Sequence, residues 1–430
     1  MLSREENELL TRVGPGTPMG ETMRRYWMPA LLSWELPEAD CPPVRVRLLG
    51  EDLVAFRDSS GRVGVMDELC PHRLASLWLG RNEEDGLRCV YHGWKFDVNG
   101  QCVDQMNEPE PFAQKVRVTS YAVNEMGGVV WVYMGPADRQ PAPPRFEYTQ
   151  ADEAHRGVTK VLEECNWLQA FEGGIDTSHA PILHRALRKE AGHLGIPPAT
   201  PFVQGRPPVL EVETTDYGYR YLGIRRLGED RQYVRGYHFV MPFTQLRPGD
   251  GVSEDKEKTT VSGHHWVPID DQNTMVWNFN YTFGETPFDQ SEREHEGGGN
   301  SRAYVDYDNG FKAKGSRRNN WMIDRSVQKV DTFTGIPGIN AQDRAVQESM
   351  GAIVDRSREH LGPADKAVIA ARRLLQQAVT AVREGANPQG ADDSYYAIRA
   401  TQKVFSAAIP WQQELMPEMY PEEVLVADGR

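Results

Sequence analysis

The segment that decides the fold is CPHRLASLWLGRNEEDGLRCVYHGW, residues 70–94. It places Cys70 and His72 in one short loop and Cys89 and His92 in a second. Thiolates and neutral imidazoles bind both zinc and iron, so the ligand types alone leave both metals open. A zinc finger pairs its two cysteines together and carries its histidines on a helix. Here each loop supplies one cysteine and one histidine, which suits a [2Fe–2S] cluster with two cysteines on one iron and two histidines on the other.

The residues around these loops have the composition of short β-strands. VRVRLL (44–49), LVAF (53–56) and GGVVWVYM (127–134) are rich in β-branched and aromatic side chains and are separated by turn residues. This predicts an all-β domain over residues 41–140, preceded by an N-terminal helical segment over residues 1–40. The proline-rich stretch 136–144 favours a domain boundary.

The rest of the chain, residues 141–430, mixes helical and strand-like patterns. VLEVETT (209–215) and TMVWNFNYTF (274–283) are typical of strands, and apolar residues at three- and four-residue steps from Val368 to Val382 predict a helix docked on a core. We therefore expect an α+β protein, in which a larger catalytic domain with an antiparallel sheet and surrounding helices follows the all-β domain.

Charge and hydropathy exclude several functional classes. The 430 residues include 48 basic and 62 acidic side chains, a formal net charge of −14. This charge repels phosphate backbones and anionic lipid headgroups, which argues against nucleic-acid and membrane partners. The N-terminal MLSREENELL has no basic and apolar export signal, and the longest apolar stretch is about half of the ~20 residues that span a bilayer. We therefore expect a cytoplasmic protein.

A second group of candidate ligands lies in DTSHAPILH, residues 176–184, which contains Asp176, His179 and His184. Two histidines five residues apart lie about 140° apart around a regular helix, so they converge on one metal only if the segment bends or the side chains reach it. Pro181 between them can cause such a bend. Alone this pattern is weak, because a histidine is often a hydrogen-bonded core residue.

Together, the two groups resemble the Rieske non-heme iron aromatic ring-hydroxylating oxygenases, and the chain is similar to their alpha subunits. Residues 176–184 match the family's D-x2-H-x4-H motif, and residues 70–94 lack the extra loop cysteines of cytochrome-complex Rieske proteins. GTPMGETMRRYWMPALLSWELP (16–37) and IDRSVQKVDTFTGIPGINAQDRAVQESMG (323–351) are similar to the phthalate dioxygenase-like branch. The resemblance implies a Rieske [2Fe–2S] cluster on the residues Cys70, His72, Cys89 and His92, and a separate mononuclear Fe(II).

The resemblance also implies that His179, His184 and a distant carboxylate hold the mononuclear iron. The candidates for that carboxylate are Asp324, Asp331, Asp343, Asp355 and Asp365. We favour Asp343, because FTGIPGINAQD places it at the start of a helix after a glycine-rich turn, as in the family; the alternative is that it only caps this helix. The resemblance implies a separate role for Asp176, in which it bridges His179 to His92 of the neighbouring protomer and carries electrons from cluster to iron; the alternative is a helix-capping or surface aspartate.

In function, the resemblance implies the oxygenase component of a multicomponent system. It would use O2 and electrons from a separate NADH-dependent reductase, which carries flavin and an iron–sulfur cluster, to convert a phthalate- or chlorobenzoate-like carboxylate to a cis-dihydrodiol. The expected assembly is a homotrimer or stacked trimers. The alternative within the family is a monooxygenase that hydroxylates or O-demethylates a (methoxy)aromatic acid. Outside it, the alternatives are an electron-transfer protein and a zinc-stabilised binding protein.

An anionic substrate in a chain of charge −14 needs a local cationic clamp, and arginine matches a carboxylate bidentately. We expect Arg206 and Arg225 to bind the substrate carboxylate, with Thr177 and Ser178 supplying hydroxyl contacts. Each arginine alone could instead form a surface ion pair.

Overall fold

The computed structural model describes residues 2–205, 207–249, 259–391 and 395–425. Two N-terminal helices, α1 (Arg4–Thr11) and α2 (Pro18–Met23), open the chain. Ser3 and Glu6 form a capping box that begins α1. The two helices pack against the larger domain, where the indole of Trp167 donates to the carbonyl of Leu10. The expectation of a helical segment over residues 1–40 is therefore correct only in part, since a strand, β1 (Trp27–Leu32), follows these helices.

The smaller domain is built from two antiparallel sheets, which confirms the prediction of an all-β unit. Its further strands are β2 (Val44–Leu48), β3 (Glu51–Arg57), β4 (Val63–Asp67), β5 (Arg81–Glu83), β6 (Gly86–Arg88), β7 (Trp94–Phe96), β8 (Cys102–Gln105), β9 (Ser120–Met126) and β10 (Val129–Tyr133). The larger sheet has the order β1-β10-β9-β4-β3-β2, and the smaller one has the order β5-β6-β7-β8. The two cysteine–histidine loops therefore follow β4 and β6.

The larger domain contains a mainly antiparallel sheet, as expected. Its order is β13-β14-β15-β16-β17-β18-β12-β20-β19, with β22 paired to β15. A short parallel pair of β11 and β21 lies apart from it. The strands are β11 (Arg145–Phe146), β12 (Arg156–Glu163), β13 (Val209–Thr214), β14 (Gly218–Leu227), β15 (Arg231–Val240), β16 (Thr244–Pro248), β17 (Thr260–Pro268), β18 (Thr274–Thr282), β19 (Val305–Asp306), β20 (Lys312–Ala313), β21 (Tyr395–Tyr396) and β22 (Thr401–Ser406).

Helices surround this sheet: α3 (Glu147–Gln150), α4 (Trp167–Ile175), α5 (Ala180–Leu183), α6 (Pro201–Gln204), α7 (Gln290–Arg293), α8 (Arg325–Val330), α9 (Ile339–Ser349), α10 (Lys366–Arg383) and α11 (Trp411–Met419). The apolar stripe on α10 is buried from Val368 to Ala378, which confirms its docking on the core. Among the described residues, no helix combines the length and apolar character that a bilayer crossing requires.

Close packing of α4 brings together the two parts of the chain that carry the second group of ligands. A Cβ on Gly173 would lie 2.1 Å from the Gln347 side chain of α9, and one on Gly174 would lie 1.9 Å from the Trp266 ring of β17. Only glycine permits this approach. The Gln169 side chain of α4 also donates to the Gln347 carbonyl at 3.0 Å, which stabilises the contact between the helices. The ends of α4 and α9 are thereby held side by side.

Candidate metal centres

Each cysteine–histidine loop is a tight turn that buries the sulfur. The Cys70 carbonyl accepts from the Leu74 amide at 2.8 Å, and the Cys89 carbonyl accepts from the Gly93 amide at 2.9 Å. Gly93 has φ +77°, a conformation that favours glycine. Cys70 and Cys89 are 1 % and 2 % exposed and belong to one buried cluster of the smaller domain.

The two histidines of these loops lie side by side on the outer edge of the cysteine pair. The ring centroids of His72 and His92 are 4.3 Å apart, and both side chains are partly exposed. The Trp94 indole stacks on the His72 ring at 4.5 Å and 7°, which fixes that imidazole. The loops therefore bring all four sequence-predicted ligands to one end of the domain, with sulfur inside and nitrogen outside.

This arrangement fits a Rieske cluster. Burial and the neighbouring Cys89 raise the pKa of the Cys70 thiol to about 12, against a hydrogen bond from the His72 backbone, so two adjacent thiolates here need a compensating cation. The His72 Nδ1 atom is buried and has no hydrogen-bond partner in the described part of the chain. A [2Fe–2S] cluster satisfies both the thiolates and the His72 nitrogen, because its irons neutralise thiolates and bind an imidazole nitrogen.

The second group of ligands flanks a single helical turn. His179 immediately precedes α5 and His184 immediately follows it, while Pro181 lies within the first two positions of the helix. The segment from His179 to His184 is therefore not one regular helix, and Pro181 stands at the start of α5. The two imidazoles converge because α5 is only four residues long, and the His184 amide closes it on the Ala180 carbonyl at 3.1 Å.

Asp343 completes a compact set of three donor atoms with these histidines. Its Oδ1 atom lies 3.3 Å from His179 Nε2 and 3.2 Å from His184 Nε2, and the two Nε2 atoms are 3.3 Å apart. Atoms at these separations can all bind one ion at about 2.0–2.2 Å. Two histidines and one carboxylate are the ligand set of non-heme Fe(II) oxygenases, so the donor chemistry fits mononuclear iron.

The structure distinguishes Asp343 from the four other candidate aspartates by their contacts. Asp343 lies inside α9, whose N-cap is Gly338, so it does not cap the helix. Asp331 pairs with Arg188. The three others accept hydrogen bonds from nearby backbone amides at helix starts: Asp324, Asp355 and Asp365.

Charge at this site is dominated by the two aspartates. Burial disfavours the charged imidazole of His179, but hydrogen bonds to Asp176 and Asp343 outweigh it and raise the pKa of His179 to about 10. Burial also opposes ionisation of Asp343, yet the two histidines hold its pKa well below the usual range. The carboxylate of Asp343 is therefore ionised beside the two histidines.

Asp176 contacts His179 but is not one of the three residues that form the donor set. Its Oδ2 atom lies 3.1 Å from His179 Nδ1, and its Oδ1 atom accepts from the amide and hydroxyl of Ser178 at 2.7 and 2.6 Å. These recorded bonds all lie within its own loop. The Ser178 hydroxyl proton is therefore engaged by Asp176.

Arg225 lies directly beneath this loop. It is fully buried on β14 and donates from Nη2 to the Thr177 carbonyl at 2.6 Å, while its guanidinium lies 4.3 Å from the Phe202 ring centroid. Its Nε and Nη1 atoms have no hydrogen-bond partner within the described residues. Burial lowers the pKa of Arg225 to about 10. The surface ion pair considered from the sequence is therefore wrong for Arg225.

Two further residues predicted to contact the substrate are Thr177 and Arg206. The Thr177 hydroxyl is buried and bonds to the Tyr237 hydroxyl at 2.6 Å. Arg206 lies outside the described residues. No motif in the sequence indicates Gln342, whose Oε1 atom lies 2.8 Å from His184 Nδ1. Its only signal in the sequence is its position directly before the chosen aspartate.

Two family models match the chain: "Rieske [2Fe-2S] domain" over residues 26–122 and "LigXa C-terminal domain like" over residues 132–423. The 3-chlorobenzoate-3,4-dioxygenase oxygenase subunit of Comamonas testosteroni is 41% identical, with 96% of this chain and 97% of that protein covered. The phthalate 4,5-dioxygenase oxygenase subunit of Pseudomonas putida is 40% identical, covering 96% and 94%.

More distant relatives have other activities. The 5,5'-dehydrodivanillate O-demethylase oxygenase subunit of Sphingobium sp. is 32% identical, with coverage of 90% of this chain and 83% of that protein. Among solved structures, Pseudomonas putida CBB5 NdmA with caffeine aligns with a TM-score of 0.62 at 19% identity, covering 91% of this chain and all of that one (100%). Dicamba monooxygenase bound to dicamba gives 0.59 at 18%, covering 84% and 98%. These structures share the fold.

Proposed function

The chain belongs to the Rieske non-heme iron ring-hydroxylating oxygenases, in the phthalate dioxygenase-like branch, and from that premise we propose that it dihydroxylates an aromatic carboxylate to a cis-dihydrodiol. The enzyme carries a [2Fe–2S] cluster and mononuclear iron and takes its electrons from a separate reductase. One turnover joins the arene and O2 with two electrons and two protons. Family membership removes the electron-carrier and zinc-binding alternatives.

The observation that carries the substrate class is the buried guanidinium of Arg225. A buried charge without a counter-ion is costly, and proteins pair or neutralise such groups. The polar partners of Arg225, the carbonyl and hydroxyl of Thr177, are both uncharged, and its Nε and Nη1 atoms find no acceptor in the described part of the chain. A substrate carboxylate supplies the missing acceptor. Thr177 then serves to orient Arg225, and Ser178 to orient Asp176.

We assign the remaining roles as follows. Cys70, His72, Cys89 and His92 hold the cluster, and His179, His184 and Asp343 hold the Fe(II). When bound, this iron supplies open coordination positions at which O2 is activated. Asp176 fixes the tautomer of His179 by accepting from its Nδ1–H, and carries the electron path towards the cluster.

We further propose a homo-oligomer, a trimer or stacked trimers, in which the cluster of one protomer serves the iron of the next; exposed apolar side chains support an interface between copies. Large contiguous apolar patches mark interfaces. One group of exposed apolar side chains surrounds the cysteine–histidine loops: Leu69, Leu74, Trp78, Leu79, Val90, Tyr91, Met106 and Phe112. A second group lies within residues 182–187 and 322–350, the segments that contain His184 and Asp343: Ile182, Leu187, Met322, Val330, Phe333, Val346 and Met350. Contact between these two surfaces brings His92 of one protomer towards Asp176 of its neighbour.

The test is O2 uptake by purified, iron-loaded protein with NADH and a flavin- and iron–sulfur-containing reductase of the kind we propose as its partner. The panel comprises phthalate isomers, halobenzoates and methoxybenzoates, and products are identified by mass. Coupled uptake that adds two oxygens and two hydrogens supports dihydroxylation. Absence of coupled uptake from every carboxylate, with the cluster intact and reduced, contradicts the substrate class.

Monooxygenation is the second candidate, favoured by the similarity to the O-demethylase subunit. The metal ligands do not distinguish the two outcomes, because the pose of the substrate over the iron decides them. Addition of one oxygen, or loss of a methyl group from a methoxybenzoate, in the same assay supports this alternative.

A further inference from the structure

Gln342 is a buried amide that joins the iron site to the turn before α9. It is 0 % exposed, its Oε1 atom lies 2.8 Å from His184 Nδ1, and its Nε2 atom donates to the Ile336 carbonyl at 2.8 Å. Both hydrogen-bonding ends of the side chain are therefore engaged inside the protein.

These two bonds determine the proton position on His184. A carbonyl oxygen only accepts, so the Gln342 atom that faces Ile336 must be the amide nitrogen. The atom that faces His184 is then the amide oxygen, which also only accepts. His184 must consequently carry a proton on Nδ1, so Nε2, which lies 3.2 Å from Asp343 Oδ1, is the ring nitrogen available to a metal.

We propose that Gln342 is a positioning residue for the iron, acting through His184. It holds the imidazole in the Nδ1–H tautomer with Nε2 directed at the other two donors, and so raises the affinity for Fe(II). This inference rests on the proposed ligand role of His184. It gives the two histidines different partners, since His179 bonds to the carboxylate of Asp176 and His184 to a neutral amide.

The experiment compares Gln342→Met, which keeps the length of the side chain but lacks a strong acceptor, with the matched control Gln232→Met. Gln232 is a buried amide of β15, and its side chain donates to the Ile409 carbonyl at 3.1 Å rather than to a histidine. Mononuclear iron is removed from each full-length protein with a chelator, the Rieske absorption is checked, and Fe(II) is titrated back. The ferrous site is then examined by EPR of its nitric oxide adduct.

We expect Fe(II) binding to weaken about 10- to 100-fold in Gln342→Met, with an altered nitric oxide EPR signal, an unchanged Rieske spectrum and no such change in Gln232→Met. Unchanged affinity and EPR signal in Gln342→Met overturn the proposal, and an equal loss in both variants does so too, because it reports packing. His184→Ala separates the premise from the inference. If that variant binds Fe(II) like the unmodified protein, the ligand assignment has failed rather than the role of Gln342.

Discussion

Asp343 Oδ1 lies 3.2 Å from His184 Nε2, although Asp343 is part of α9 and His184 directly follows α5. Neither segment alone can form the site, because each contributes only part of the donor set. The close packing of α4 on α9 at Gly173 brings the two segments together. Metal binding is therefore coupled to the tertiary structure of the larger domain.

His184→Ala is expected to leave the Rieske absorption intact and to abolish both mononuclear iron binding and product formation. Removing one of three protein ligands leaves too few donors for the ion. Iron content per protomer and turnover with a carboxylate substrate measure the effect. The exposed His193, changed to alanine, is the control and should lose neither. Retained turnover in His184→Ala would remove this residue from the ligand set.

Residues close in sequence account for most of what could be predicted. The two cysteine–histidine loops form from contiguous residues, as the Cys89 and Gly93 turn illustrates, so their spacing carries the geometry of the cluster site. The helix over Val368 to Ala378 can also be predicted from the sequence, because its apolar period of 3.6 residues is a local pattern.

The features that the sequence does not predict depend on long-range contacts. The bond between Gln342 and His184 and the burial of Arg225 under Thr177 join residues far apart in the chain, and no local pattern records them. The strand at Trp27–Leu32 escapes prediction for a similar reason, since its pairing partner is β10. Only the family resemblance, and not the spacing, distinguishes Asp343 among the five aspartates.

Asp176→Asn is expected to keep both metals and to slow electron transfer between them. An amide oxygen still accepts from His179 Nδ1–H but carries no charge. It therefore stabilises the imidazole less and forms a weaker hydrogen bond to His92 of the neighbouring protomer. Stopped-flow reoxidation of the reduced cluster, in the presence of substrate and O2, measures the rate. Asp324→Asn, at the start of α8, is the matched control. Loss of the cluster in Asp176→Asn would contradict the bridging role.

Arg225→Met is expected to lower kcat/KM for a carboxylate substrate by about 10- to 150-fold, the equivalent of about 1.5–3 kcal/mol for a charged hydrogen bond. Iron content should be unchanged, because Arg225 binds no metal ligand directly. Arg226→Met is the control, since Arg226 is exposed on the same strand and points to the other face. Equal kinetics of Arg225→Met and the unmodified enzyme would exclude the proposed carboxylate contact.

Glu163 provides a prediction on stability. This residue ends β12 and is 1 % exposed; burial and the neighbouring Glu348 raise its pKa to about 8, against a hydrogen bond from Cys165 and the charge of Arg344. In the unfolded chain the same carboxyl has an ordinary pKa near 4.5. Between these two values the folded state binds a proton that the unfolded state has released.

The contribution of Glu163 to the free energy of unfolding is therefore fully present below pH 4.5 and decreases as the pH rises towards about 8, by up to about 1.4 kcal/mol per pH unit. Glu163→Gln cannot ionise, so we expect its stability relative to the unmodified protein to increase across this window and to level off above it. Denaturant unfolding at pH 5.5, 7 and 8.5 measures the difference. Glu164→Gln is the control, because Glu164 is partly exposed and pairs with Arg318 at the surface. A difference that does not vary with pH would show that Glu163 is ionised in the folded protein.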